Sequence, residues 1–91
     1  MDPECRAIIK VTGRVQHVGF RYTTLIKAQV LELTGSVKNL PDRSVLIDAQ
    51  GSRGSVLNLI EWCKTGPAGA IVDSVEFTFH SVRDFKVFQI R

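Results

Sequence analysis

Apolar and polar positions alternate along several stretches of this chain and recur at helical spacing along two others. Residues 6–11 are rich in β-branched types, with Ala7, Ile9 and Val11 on one face and Ile8 and Lys10 on the other, the period of a strand. Thr12-Gly13 is expected to break it. From about Arg21 to about Leu33, the spacing of Leu25, Ala28 and Leu31 gives a helix an apolar stripe, with Gly35 as its stop. Residues 36–40 read as a short second strand. Pro41–Ser44 read as a turn in which proline fixes φ. Val45–Gln50 is a third strand with Val45, Ile47 and Ala49 inward. Ser52 or Ser55 caps a second helix striped by Val56, Leu59, Ile60 and Cys63, ending at Gly66-Pro67. A fourth strand covers about Ile71–His80, with Val75, Phe77 and Phe79 inward, and a last one about Lys86–Arg91.

The order is strand, helix, strand, strand, helix, strand, with one strand added at the end. Two helices cannot cover both faces of such a sheet, so both are expected on one face, leaving the other partly open to solvent. The predicted fold is α+β: a ferredoxin-like split βαβ sandwich, an antiparallel sheet with two helices on one face and an extra C-terminal strand. That fold hosts many chemistries and does not choose among them.

Length and composition narrow the choice. Ninety-one residues make one small domain, over 1–91, and 44% hydrophobic with 23% charged residues argues against disorder. No apolar run approaches the roughly 18 residues of a membrane span, so no membrane partner is expected. Met1–Glu4 carries no secretory apolar region, and the expected location is the cytoplasm. Cys5 and Cys63 read as reduced, buried thiols. With no CxxC and no Cys/His cluster, a zinc site has no support. The net charge of +3 suits small anions and permits weak contact with nucleic acid. RNA-binding modules of this fold stack bases on sheet aromatics, and the first and third strands here have none, so no nucleic-acid partner is expected.

The chemistry concentrates in Gly13-Arg14-Val15-Gln16-His17-Val18-Gly19-Phe20-Arg21: a strand end, a tight loop and an arginine opening a helix. Backbone N–H groups in such a turn form an anion nest, and the helix N-terminus adds further donors. The guanidinium of Arg21 can close the cradle with a fork matched to phosphate oxygens. An arginine at a helix N-terminus is otherwise poorly placed against the helix dipole.

With Val37-Lys38-Asn39, Ala49-Gln50-Gly51, Trp62, Gly66-Pro67 and Phe88-Gln89-Ile90-Arg91, this block makes the chain resemble the acylphosphatase family over nearly its whole length. The resemblance implies hydrolysis of small acyl phosphates to a carboxylate and inorganic phosphate, by a small cytosolic enzyme that needs no metal or other cofactor. It implies a catalytic pair, Arg21 for the substrate and Asn39 for the attacking water. The phosphate would be held by Gln16, His17, Val18, Gly19, Phe20 and Arg21. A monomer is expected. A non-catalytic acylphosphatase-like domain that holds phosphorylated ligands is the alternative. The N-terminal domain of hydrogenase-maturation carbamoyltransferases is also similar, but no CxxC zinc motif follows here, which favours a standalone enzyme.

Three glycines of the family pattern are replaced here. His17, Glu32 and Arg43 stand where the family carries glycine, and each is expected to cost stability if its site keeps left-handed backbone. Ser36 replaces a usual aromatic. His17 either crowds the cradle or touches the substrate.

Overall fold

The computed structural model describes residues 3–91. They form β1 (Glu4–Arg14), α1 (Phe20–Val30), β2 (Thr34–Asn39), β3 (Val45–Ser52), α2 (Arg53–Cys63), β4 (Ile71–His80) and β5 (Phe88–Ile90). The strands build one sheet in the order β4-β1-β3-β2-β5. β1 is antiparallel to β3 and β4, and β3 to β2, so β1 and β2 end on the same side of the sheet. Neighbouring strands of the four-stranded ferredoxin-like sheet are antiparallel, as expected, and the added β5 runs parallel to β2, making the whole sheet mixed.

The path of the chain explains that last pairing. After β4 at one edge, residues 81–87 cross the end of the sheet to reach β2 at the far side. Arg6, nearly buried, grips Asp48 bidentately (Nε–Oδ1 2.9 Å, Nη2–Oδ2 2.8 Å). Its remaining nitrogen donates to the Ser81 carbonyl at 3.3 Å, and its carbon lies 5.6 Å from the Phe85 ring centre. Gln50 exchanges two hydrogen bonds with the Arg83 backbone, at 2.6 and 2.7 Å. These polar side chains on the helix-free face strap the crossing down and fix where β5 enters.

Both helices pack on the face carrying Ala7, Ile9, Val11, Val45, Ile47 and Ala49, all fully buried. The α2 stripe of Val56, Leu59, Ile60 and Cys63 is buried as expected. Truncating one such residue, Leu59→Ala, would cost about 2–5 kcal/mol. Ser52 caps α2, its Oγ accepting from the Ser55 N–H at 3.3 Å. Phe77 and Phe79 lie opposite Ile9 and Ala7 on the helix side. Yet they remain 42% and 44% exposed, because β4 is an edge strand. They pack edge-to-face on each other instead.

Several boundaries shift by a few residues, among them β5, which is Phe88–Ile90 rather than Lys86–Arg91, and two of the shifts bear on the site. The first strand does not break at Thr12-Gly13. It continues to Arg14 through an irregularity in the pairing with β4. Gly13 permits this, because its φ is 125° and a Cβ there would sit 2.2 Å from the Ile71 carbonyl oxygen. α1 ends at Val30 rather than near Leu33. The Glu32 N–H donates to the Gln29 carbonyl at 3.1 Å and the Leu33 N–H to Ala28 at 2.8 Å. This is a Schellman ending with Glu32 at its left-handed position, φ 59°. Gly35 lies inside β2. Among the described residues no helix is long and apolar enough to cross a membrane.

Candidate active site

The β1–α1 connection is pinned at both ends by apolar burial. Val15 is fully buried and Phe20 is 2% exposed. The Phe20 ring sits 5.4 Å from that of Trp62, tilted by 54°. Between these anchors the chain curls through left-handed backbone at His17 (φ 63°) and Gly19 (φ 76°). Gly19 is the N-cap of α1 and offers no capping side chain, and the first turn holds no acidic residue. The Thr23 N–H donates to the Gly19 carbonyl at 2.9 Å. Upstream, the N–H groups from Gln16 to Tyr22 have no acceptor among the described residues. A run of free donors at a helix N-terminus, with the positive end of the helix dipole behind it, is an anion-binding arrangement.

A recess of about 210 Å³ opens beside this run, lined by Val15, Gln16, His17, Gly19, Phe20, Arg21, Tyr22, Asn39 and Ile90. Arg21 and Asn39 meet there because β1 and β2 end on the same side. Among the described residues, neither side chain has a hydrogen-bond partner, and Arg21 has no ion pair. A guanidinium and a carboxamide are therefore both uncommitted in one concavity.

The other expected phosphate-binding residues divide. His17 and Gly19 line the recess with exposed surfaces. Phe20 contributes only backbone, since its ring is in the core. The side-chain amide of Gln16 is spent on the Leu40 and Ser44 carbonyls, each at 2.9 Å, leaving its N–H for a ligand. Val18 does not line this recess. Its half-buried side chain packs on the core and borders a neighbouring depression. Tyr22, 64% exposed, and Ile90 line the recess although sequence reasoning did not select them. Tyr22 was within reach, one residue past Arg21. Ile90 was not, since its place depends on β5 joining β2.

The depression on the other side of the loop holds about 720 Å³ and is lined by Gly13, Arg14, Val15, Gln16, His17, Val18 and Arg43. Arg43 comes from the β2–β3 turn, where the Leu40 N–H donates to Ser44 at 2.9 Å and the Arg43 N–H to Leu40 at 3.1 Å. Asp42 in that turn is occupied by Lys10, at 2.8 Å, and by the Ser44 N–H, at 3.0 Å. The Lys10 ammonium, helped by Ser44, holds the Asp42 carboxyl well below the usual carboxylate range. Arg43 has φ 73°. Among the described residues the non-glycine residues with positive φ are His17, Glu32 and Arg43, the three positions where the family resemblance implies a glycine. The expected left-handed geometry is therefore present at each.

No group of three His, Cys, Asp or Glu side chains among the described residues is placed to hold a metal ion. What the fold and the site together define is a two-layer α+β domain with a loop of free N–H donors at one end of its sheet. The acylphosphatase family model matches residues 7–90. An acylphosphatase of Acaryochloris marina is 48% identical over 80 residues, covering 88% of this chain and 86% of that protein. One of Geobacter metallireducens is 41% identical over 92 residues, covering 100% and 99%. The solved structure of an acylphosphatase from Coxiella burnetii superposes with a TM-score of 0.94 at 40% identity, covering 97% of this chain and 93% of that one. The chain belongs to the acylphosphatase family, a family of hydrolases.

Proposed function

We propose that the protein hydrolyses small acyl phosphates to a carboxylate and inorganic phosphate by direct attack of water. Arg21 and the N–H groups of residues 16–21 hold the phosphoryl oxygens. Asn39 orients the water with its carbonyl acceptor and amide donor. The leaving group is a carboxylate whose conjugate acid has a pKa of about 4, so it departs without a protonating acid. The water oxygen bonds to phosphorus as the acyl oxygen leaves with its electron pair, and a phosphate oxygen of the substrate takes the water's proton. What the protein must supply is position and charge. On this reading no metal or cofactor takes part, one domain in the cytoplasm suffices as a monomer, and neither nucleic acid nor membrane is a partner.

The observation that carries this reading is the run of N–H groups without an acceptor from Gln16 to Tyr22, whose residues, Val18 apart, line the same recess as the uncommitted Arg21 and Asn39. A non-catalytic phosphate holder would draw support from His17, whose side chain stands on the loop at the mouth of the recess. It would leave the free Asn39 without a task. Steady hydrolysis of benzoyl phosphate with a chelator present is the expected result. Phosphate binding without turnover would overturn the catalytic reading in favour of the holder.

A further inference from the structure

We infer that the depression between Arg14, His17 and Arg43 is a second anion site, which selects acyl phosphates whose acyl group carries a further negative charge. The inference rests on the acyl phosphate reading above. The depression and the catalytic recess share Val15, Gln16 and His17 as a common wall. The proposed pose holds the phosphoryl group at the loop and directs the acyl end across this shared wall toward the depression. Two guanidinium groups and an imidazole border it, and no carboxylate does. Arg14 and Arg43 have no ion pair or side-chain hydrogen bond among the described residues. The carboxylate next to Arg43 in sequence, Asp42, is already engaged by Lys10 and Ser44. Guanidinium groups without a protein partner are suited to a carboxylate or a phosphate monoester.

Backbone strain points to the same place. Left-handed φ costs a side-chain-bearing residue free energy, and such strain gathers at ligand sites. Two of the three non-glycine residues with positive φ, His17 and Arg43, border this one depression. The third, Glu32, terminates α1. Glycine would relieve the strain at His17 and Arg43 but remove the groups that recognise the anion.

The test compares kcat and KM for benzoyl phosphate, for an acyl phosphate whose chain ends in a carboxylate (4-carboxybutanoyl phosphate), and for one ending in a phosphate monoester. The doubly anionic substrates are expected to show the higher kcat/KM. Arg43→Gly and Arg14→Gln should each lower kcat/KM for the preferred one by about tenfold, the size of one charge-assisted hydrogen bond, mainly through KM. Benzoyl phosphate should change by less than about twofold, since that substrate has no second charge to lose. Arg43→Gly suits the φ of its position, so folding is not at risk. The two anionic substrates distinguish carboxylate from phosphate as the preferred second group. Equal losses on benzoyl phosphate and on the substrates with a further anionic group, or no loss on any, would overturn the second site while leaving hydrolysis intact. No turnover of any substrate by the wild type would overturn hydrolysis and the second site together.

Discussion

Gln16 and Ser44, 28 residues apart, are joined by a 2.9 Å hydrogen bond from the Gln16 side-chain amide to the Ser44 carbonyl. The same amide reaches the Leu40 carbonyl at 2.9 Å. The loop before α1 is thus tied to the turn that follows Asn39, and this side chain links the two segments that carry the candidate site. Gln16→Ala should cost about 1–2 kcal/mol of stability, the range for losing a partly buried hydrogen-bond donor. It should also weaken inhibition by inorganic phosphate several-fold. Urea unfolding and phosphate inhibition constants check both.

Glu32 occupies the left-handed position of the α1 Schellman ending. Glycine needs no strain there, while any other non-glycine residue keeps it. Glu32→Gly should therefore raise stability by about 1 kcal/mol, and Glu32→Ala should not. For a domain of this size that corresponds to roughly 4–8 °C in Tm. The site lies away from the recess, so turnover should be unchanged.

Thr24 is fully buried on α1, and its hydroxyl has no hydrogen-bond partner. An unsatisfied buried hydroxyl costs about 1–3 kcal/mol. Valine has nearly the same shape and removes that cost. Thr24→Val should stabilise the fold by about 1 kcal/mol, and Thr24→Ala should destabilise it by opening a cavity. Denaturant midpoints of the two variants give the comparison.

Burial pushes the Cys63 thiol up to about 12 from a reference of 9.0. The folded state keeps a proton that the unfolded chain gives up above the lower value. The stability from this group is therefore complete below about pH 9 and declines as pH rises toward 12. Cys63→Ala should show a shallower loss of stability between pH 8 and 10.5 than the wild type. Cys5 is partly exposed and Cys63 buried, so an alkylating reagent at pH 8 should modify Cys5 first.

Most of the architecture was legible because local pattern and tertiary packing agree. The Val56, Leu59, Ile60 and Cys63 stripe and the Ala7, Ile9, Val11 alternation each face the core. The misjudged boundaries have different causes, one distant and one local. Thr12-Gly13 continues a strand because β4 lies alongside. α1 stops at a glutamate in left-handed backbone, which residue preference cannot reveal. The exposed Phe77 and Phe79 obey the alternation, but period alone does not tell an edge strand from an inner one. At the site, Arg21 and Asn39 were legible through the loop block and the family pattern. Ile90 and Arg43 reach the loop only through pairings made far along the chain.

The division of labour between Arg21 and Asn39 is the central claim, and one comparison tests it most directly. Benzoyl phosphate turnover and inorganic phosphate affinity are measured side by side on the wild type, Arg21→Ala and Asn39→Ala. Arg21→Ala should lose both. Asn39→Ala should lose about 10²–10³-fold in kcat, the scale seen when one group that acts on the transition state is removed, with phosphate affinity within about threefold. Full turnover in Asn39→Ala, or a parallel loss of turnover and affinity, would contradict the assignment of Asn39 to the attacking water.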